Sequence, residues 1–308
     1  MSKKGTKVMD KLRPYLFLSP AIISMVLLTF IPIIYTVYMS FTNRSMYHMD
    51  DYTFVGFKNY ANVLTGDLRP IFLPVFLWTL LFAACTCLGG YFVGLLLAIL
   101  LNNKNMKERG VYKAILILPW ALPGTVAALS WQGLLNQQYG NINKLLKALH
   151  LIHSNVPWIN ATGLARFSVI MVSIWFTVPF MMNTCLGALT AIPDTYYEAA
   201  DIDGASRWQK FIKITLPSLA SSSYPLVISS FSMNFNNFGT IYMITKGQPA
   251  QSNYAGATDI LASAAYTLIK SNNRYDLADT LAVLIFFVIG TISFIQMHLS
   301  GQFKEVDR

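Results

Sequence analysis

A chain of 308 residues in which 54% are hydrophobic, 14% aromatic and only 12% charged, with a mean hydropathy of +0.46, is too apolar for an ordinary water-soluble domain. The formal net charge of +9 does not require a nucleic acid, because cations gathered on the cytoplasmic side of a multi-span protein and facing anionic lipid account for it.

The amino-terminal segment 1–14 carries Lys3, Lys4, Lys7, Lys11 and Arg13 and leads into an apolar run without a small-residue cleavage site behind it. It is expected to remain as a cytoplasmic tail rather than leave as a signal peptide. Six hydrophobic stretches, each near the ~20 residues needed to cross the hydrocarbon core, are predicted as transmembrane helices over 15–41, 71–101, 111–135, 167–190, 218–244 and 280–300. The expectation is an all-α polytopic membrane domain over 15–300, closed by a second short cytoplasmic tail, 301–308. The Lys, Arg, Asp and Glu residues fall outside these stretches or at their edges, as expected when a charge at the bilayer centre costs about 3 kcal/mol or more.

Orientation follows from the cations, which are enriched in short cytoplasmic loops. With the amino terminus inside, the inner segments hold the five tail cations, Lys104, Lys107, Arg109, Lys113, Arg207, Lys210, Lys213, Lys304 and Arg308, while the remaining nine lie outside. Both termini are then cytoplasmic. Cys85, Cys87 and Cys185 sit within predicted spans, which supports neither a disulfide framework nor a Cys-rich metal site. His48, His150 and His153 fall in outer loops and His298 at the inner end of the last span, without ligand-like clustering.

The chain has no Gly-Lys dipeptide, so it lacks the GxxxxGK loop that cradles nucleotide phosphates. HExxH and GxSxG motifs are also absent from it. No catalytic residues, metal or cofactor are expected on this chain, and a transporter built this way must draw energy from elsewhere. The lack of a carboxylate in the membrane core weakens an ion-coupled secondary transporter, which stays as an alternative. Pro119 and Pro123 in the third span, Pro179 in the fourth and Pro225 in the fifth each remove a backbone hydrogen bond and are expected to let their helices bend.

The fourth connection, 191–217, is the most informative segment. Asp194 after Pro193 is expected to cap a helix, with Glu198 near its positive end. Gly204 is expected to break that helix. A second short helix, Ser206 to Ile214, then places Trp208, Phe211 and Ile212 on one face, so the whole reads as a helix-turn-helix knob on the membrane surface. In the fifth span, Ser230, Asn234 and Asn237 recur at i, i+4 and i+7 and share one helical face. Such side chains suit sugar hydroxyls, and they equally suit interhelical hydrogen bonds. Phe231, Phe235 and Phe238 form a neighbouring stripe that could offer apolar ring faces.

Glu198-Ala199-Ala200, then Gly204, then Ile214, Leu216 and Pro217 at the observed spacing, resembles the EAA loop of binding-protein-dependent ABC importer permeases. The resemblance continues through Ile117–Pro123, Leu135–Asn143, Phe231–Phe238, Thr245–Pro249 and Ala255–Asp259, and it is to the carbohydrate-uptake branch, in particular the larger permease subunit of maltose and maltodextrin importers. It implies the type I importer permease fold in a bacterial plasma membrane. It also implies a second, similar permease, two ATPase subunits that hold the ATP and Mg, and an external sugar-binding protein. The outer segments Gln137 to Arg166 and Lys246 to Asp279 would be candidates for touching that protein. By the same resemblance the sugar site would comprise Trp120 and Gly124 from the third span, Ser173, Phe176, Thr177 and Phe180 from the fourth, and Ser230, Met233, Asn234 and Asn237 from the fifth. The chain lacks the extra amino-terminal spans and the large outer insertion of the best-known members, which leaves the sugar open. An ABC permease for another oligosaccharide or small polar solute is the nearest alternative.

Overall fold

Three glycines on one face of a long helix decide how the bundle is built. In a computed structural model, which describes residues 3–103 and 106–299 (side chains of 3–13, 221, 222 and 299 excepted), α4 (Arg69–Leu101) lies along α8 (Thr162–Thr190) for most of its length. A Cβ at Gly89 would meet Ile174, one at Gly90 would meet Thr177, and one at Gly94 would stand 2.7 Å from the Met182 backbone nitrogen. Small residues in this position let two membrane helices approach backbone to backbone, where dispersion contacts replace the absent hydrophobic drive. Phe82, Ala83 and Ala98 of α4 and Val169, Val172, Met181, Met182 and Cys185 of α8 are buried.

The first predicted span is one helical run, formed by α1 (Lys3–Met25), a π-helical turn (Val26–Phe30) and α2 (Ile31–Ser40). It begins at Lys3, inside the segment expected to be a tail. The π turn precedes Pro32, whose missing N–H would otherwise leave an α-helical carbonyl unpaired. Between Tyr15 and Tyr38 this run shows its large apolar side chains outward, and it joins the bundle through α2 against α14 (Tyr275–Leu299). The predicted tail 301–308 lies outside the described residues, as does Lys104.

Among the described residues, four helical runs are long and apolar enough to cross a bilayer: Pro14–Ser40, Arg69–Leu101, Thr162–Thr190 and Tyr275–His298. The stretch predicted as an unbroken span over 111–135 is instead a pair, α5 (Arg109–Ala121) and α6 (Gly124–Leu134), bent by 93°. Of the prolines there, Pro123 makes the break: its ring disfavours the α-region for the preceding residue, and Leu122 is extended with φ −86° and ψ 140°. Counted as one crossing, the pair makes a fifth.

The predicted span 218–244 is also divided, into α11 (Leu216–Phe235) and α12 (Phe238–Thr245). Asn236 and Asn237 leave the helix, and the Asn237 side chain caps α12 by accepting from the Thr240 N–H at 3.3 Å. Asparagine offers the backbone a side-chain partner and so competes with helix continuation. α11 carries serines where a lipid-facing helix would carry aliphatics, and its partners are protein groups. Tyr91 pairs with Ser223 at 3.1 Å, the Cys87 thiol points to the Val227 carbonyl at 3.1 Å, and the Gln296 side-chain amide donates to the Pro225 carbonyl at 2.9 Å.

The connections between spans gather at two ends. At one end, shorter helices α3 (Lys58–Leu64), α7 (Asn141–Ala148) and α13 (Leu261–Asn272) fill the loops. There the Trp78 indole N–H donates to the Thr258 carbonyl at 3.1 Å, and Arg166 donates to Ala257 at 2.8 Å while its guanidinium stands 4.6 Å over the Trp78 ring. The stretches Thr245–Pro249 and Ala255–Asp259, singled out by resemblance, fold on each other: the Thr245 and Thr258 hydroxyls pair at 2.7 Å, and the buried Asp259 carboxylate accepts from the Gly256 N–H at 2.8 Å and the Ser263 hydroxyl at 2.6 Å. Burial nonetheless pushes the Asp259 carboxyl above its ordinary value.

Candidate functional site

At the opposite end, Leu101, Leu189 and Leu219 pack with Met106, and the segment after α8 projects as α9 (Asp194–Ile202) and α10 (Arg207–Lys210). Pro193 occupies the cap position of α9, and Asp194 is its first helical residue, contrary to the expectation that Asp194 itself caps. Proline's fixed φ and extended ψ pre-set the turn into the helix. Gly204 sits at φ +72°, the left-handed corner anticipated for it. Ser206 then caps α10, accepting from the Gln209 N–H at 3.3 Å while the Gln209 amide oxygen accepts from the Ser206 N–H at 2.7 Å.

The second helix of the knob does not stop at Ile214. It widens into a π turn (Phe211–Thr215) and continues as α11, which makes the knob a continuous extension of a bundle helix. Tyr197 and Thr215 bond at 2.9 Å across its two arms, and Lys210 reaches Asp201 at 2.6 Å. Its apolar side chains have no cover: Ile202 is 88% exposed, Trp208 68%, and Tyr196 and Ile212 are exposed beside them. Trp208 stacks on Phe211 with 5.8 Å between centroids. Of the predicted coupling residues, Glu198 and Ala199 are exposed, Ala200 is half-buried, and Ile214 joins Ala200 and Gly204 around a shallow groove between the two arms. Leu216 and Pro217 open α11.

The second feature is a cavity of about 420 Å³ bounded by α5, α8, α11 and α12. Eight of the ten residues expected to form a sugar site line it: Trp120, Phe176, Thr177, Phe180, Ser230, Met233, Asn234 and Asn237. Met233 and Trp120 are open members of it, at 74% and 54% exposed. The Trp120 and Phe180 rings lie 5.8 Å apart, tilted by 36°. Asn234 is held by its amide, which donates to the Ser230 carbonyl at 2.9 Å and lies 3.3 Å from the Ser230 hydroxyl. No charged side chain is among the lining residues.

Two expected members fall elsewhere. Gly124 is the exposed first residue of α6, just past the bend, with open space around the position of a Cβ. Ser173 is buried at 1% exposure one turn from Thr177, whose hydroxyl donates to its carbonyl, and the Ser173 hydroxyl itself has no partner. The phenylalanine stripe also divides: Phe235 is fully buried, Phe231 packs against the same core cluster, and Phe238 alone of the three reaches the cavity. The helix break explains this. A continuous helix would hold Phe238 near Phe235, but unwinding at Asn236 swings it around, and the same break brings Asn236 and Gly239 into the lining. The adjacent Asn236-Asn237 pair was the available signal for that break.

Residues 90–303 match the family model described as binding-protein-dependent transport system inner membrane component. The chain is 35% identical over 297 residues to the galactooligosaccharides transport system permease protein GanP of Bacillus subtilis (strain 168), covering 95% of this chain and 71% of GanP. It is 38% identical over 250 residues to the maltose/maltodextrin transport system permease protein MalF of Salmonella typhimurium, covering 79% of this chain and 48% of MalF, so it spans about half the length of that relative. In structure it resembles a bacterial ABC transporter involved in the import of the acidic polysaccharide alginate, with a TM-score of 0.81 over 98% of this chain and 99% of the other at 23% identity. A weaker likeness, TM-score 0.54 at 14% identity, is to the inward-facing MetNI methionine ABC transporter, over 75% of this chain and 94% of that one.

Proposed function

This chain belongs to the family of binding-protein-dependent transport system inner membrane components, and we propose that it is the permease subunit of an ATP-driven importer of uncharged oligosaccharides. The observation that carries this reading is the composition of the cavity. Three aromatic rings, Trp120, Phe176 and Phe180, face hydroxyl and amide groups of Ser230, Asn234, Asn236 and Asn237 across it, with no charge among them. Apolar ring faces match the C–H faces of a pyranose, and neutral amides both donate to and accept from its hydroxyls.

Six crossings follow if α5–α6 counts as one and α11–α12 as another, with both termini and the α9–α10 knob on the cytoplasmic side. In that frame two ATPase subunits hold ATP and Mg, and a cleft on the ATPase receives the knob through Tyr196, Ile202, Trp208 and Ile212, which otherwise leave apolar surface in water. Because the knob is continuous with α11, movement of the ATPases is passed along that helix to Ser230, Met233 and Asn234. A second, similar permease closes the open side of the cavity, and an external binding protein delivers the sugar near Gln137–Arg166 and Lys246–Asp279.

The cargo within this class is of the maltodextrin type or the galacto-oligosaccharide type, the substrates named for the two relatives above. Labelled uptake of glucans and galactans, in cells with and without this chain, tests the reading. ATP-dependent uptake of one series that vanishes with the chain supports it. Uptake that ignores the ATPase and collapses with an uncoupler would assign the chain to ion-coupled transport, and no uptake of any neutral oligosaccharide would refute the sugar reading.

A further inference from the structure

Phe238, on the cavity wall, has two aromatic neighbours outside the cavity. Its ring stacks on Tyr242 at 5.1 Å between centroids and lies 4.9 Å from Tyr266 of α13, and the two tyrosines meet edge to face at 4.9 Å. Lys270, one turn beyond Tyr266, donates from Nζ to the Tyr242 hydroxyl at 2.8 Å and stands 5.4 Å and 5.6 Å from the two tyrosine ring centroids.

This group lies apart from the core clusters into which α12 and α13 each bury a face. Ile241 and Ile244 of α12 and Leu261, Ala264 and Leu268 of α13 form the buried faces of those helices. Tyr266 is 37% exposed and Tyr242 half-buried. The rings therefore continue the aromatic lining of the cavity outward, toward the end of the bundle where Thr245–Asp259 folds.

We propose that Tyr242 and Tyr266 form an outer sugar subsite, continuous with the cavity through Phe238, that receives the units of an oligosaccharide too long for the cavity itself. The proposal rests on the oligosaccharide reading above. A cavity of about 420 Å³ lies low in the ~300–1,000 Å³ range of small-molecule sites, so a chain of several units must extend beyond it. A phenol supplies both elements of sugar recognition, an apolar face and an edge hydroxyl. Lys270 holds the Tyr242 hydroxyl in one orientation, leaving less to order when a sugar arrives.

The test is uptake of two-unit and six-unit members of the transported series by cells carrying Tyr266→Ala in the otherwise complete transporter. The six-unit to two-unit uptake ratio should fall about fivefold, the effect of losing one aromatic stacking contact, and Tyr266→Phe, which keeps the ring, should restore it. An unchanged ratio overturns the subsite, whether both uptakes fall together, as from misfolding, or neither falls. Failure of the reading on which the proposal rests shows separately, as absence of uptake of both lengths by the unsubstituted protein.

Discussion

Gly94 of α4 lies so close to Met182 of α8 that a Cβ at Gly94 would stand 2.7 Å from the Met182 backbone nitrogen. Backbone cannot step aside as a side-chain tip can, so Gly94→Leu must push the two helices apart or distort one of them. A loss of about 1–3 kcal/mol is expected, read as a lowered thermal midpoint of the detergent-purified protein. Gly187→Ala, where nothing stands near the new Cβ, should leave that midpoint nearly unchanged.

Gly247 tests the loop at the other end. Its φ is +82°, and a Cβ there would collide with the Asp259 carboxylate. Gly247→Ala is therefore expected to destabilise on two counts, by about 1–2 kcal/mol for the left-handed backbone and more for the collision. Protease accessibility of 246–260 is the readout, and the thermal midpoint of Gly56→Ala, also left-handed but in open space, reports the cost of a left-handed backbone without a collision.

Asp259 also carries a pH dependence. Burial raises its folded-state pKa above the ordinary 3.8, although bonds from Gly256 and Ser263 oppose the shift. A raised folded-state pKa means that the folded state holds this proton more tightly than the unfolded chain does. The stabilisation is present in full below the unfolded pKa and is lost as pH rises through the folded one. The loop of the unsubstituted protein should thus lose protection as pH climbs above the ordinary carboxyl range, and Asp259→Asn should flatten that profile in hydrogen exchange.

At the cavity, Trp120 is half exposed and lies 5.8 Å from the Phe180 ring, tilted against it. On the oligosaccharide reading, Trp120→Ala should raise the uptake KM about five- to tenfold and Trp120→Phe should recover most of it. Equal KM values in all three proteins would remove this ring from the site.

The knob has its own test. No neighbouring atom lies within 4 Å of a Cβ placed on Gly204, yet its φ is +72°. Gly204→Val should therefore act through the backbone alone, by about 1–2 kcal/mol or more for a β-branched residue. Membrane insertion should be unaffected, while co-purification of the ATPase subunits and uptake should fall together. Retention of both would separate the knob's shape from coupling.

Much was legible from residues alone. Hydropathy marked the four single helices long enough to cross because lipid requires long apolar helices, and Gly204 announced a corner because few other residues tolerate positive φ. The spacing of Ser230 and Asn234 placed both in one cavity, for the reason expected: they are one turn apart on α11. Asn237 arrived there for a different reason, as the cap of α12 after the helix had ended.

Local chemistry and hydrophobic period thus determined which segments become helices, where the tightest turns fall and which faces are polar, since those depend on neighbours within a turn or two. Tertiary structure decided which polar face meets which aromatic one. Pro123 bends α5 from α6 by 93°, Asn236 unwinds α11, and Gly90 and Gly94 set the depth at which α8 sits against α4. Trp120, Phe180 and Asn234 line one cavity because α5 and α11 both pack on α8, and a cavity between helices is fixed by distances between backbones far apart along the chain.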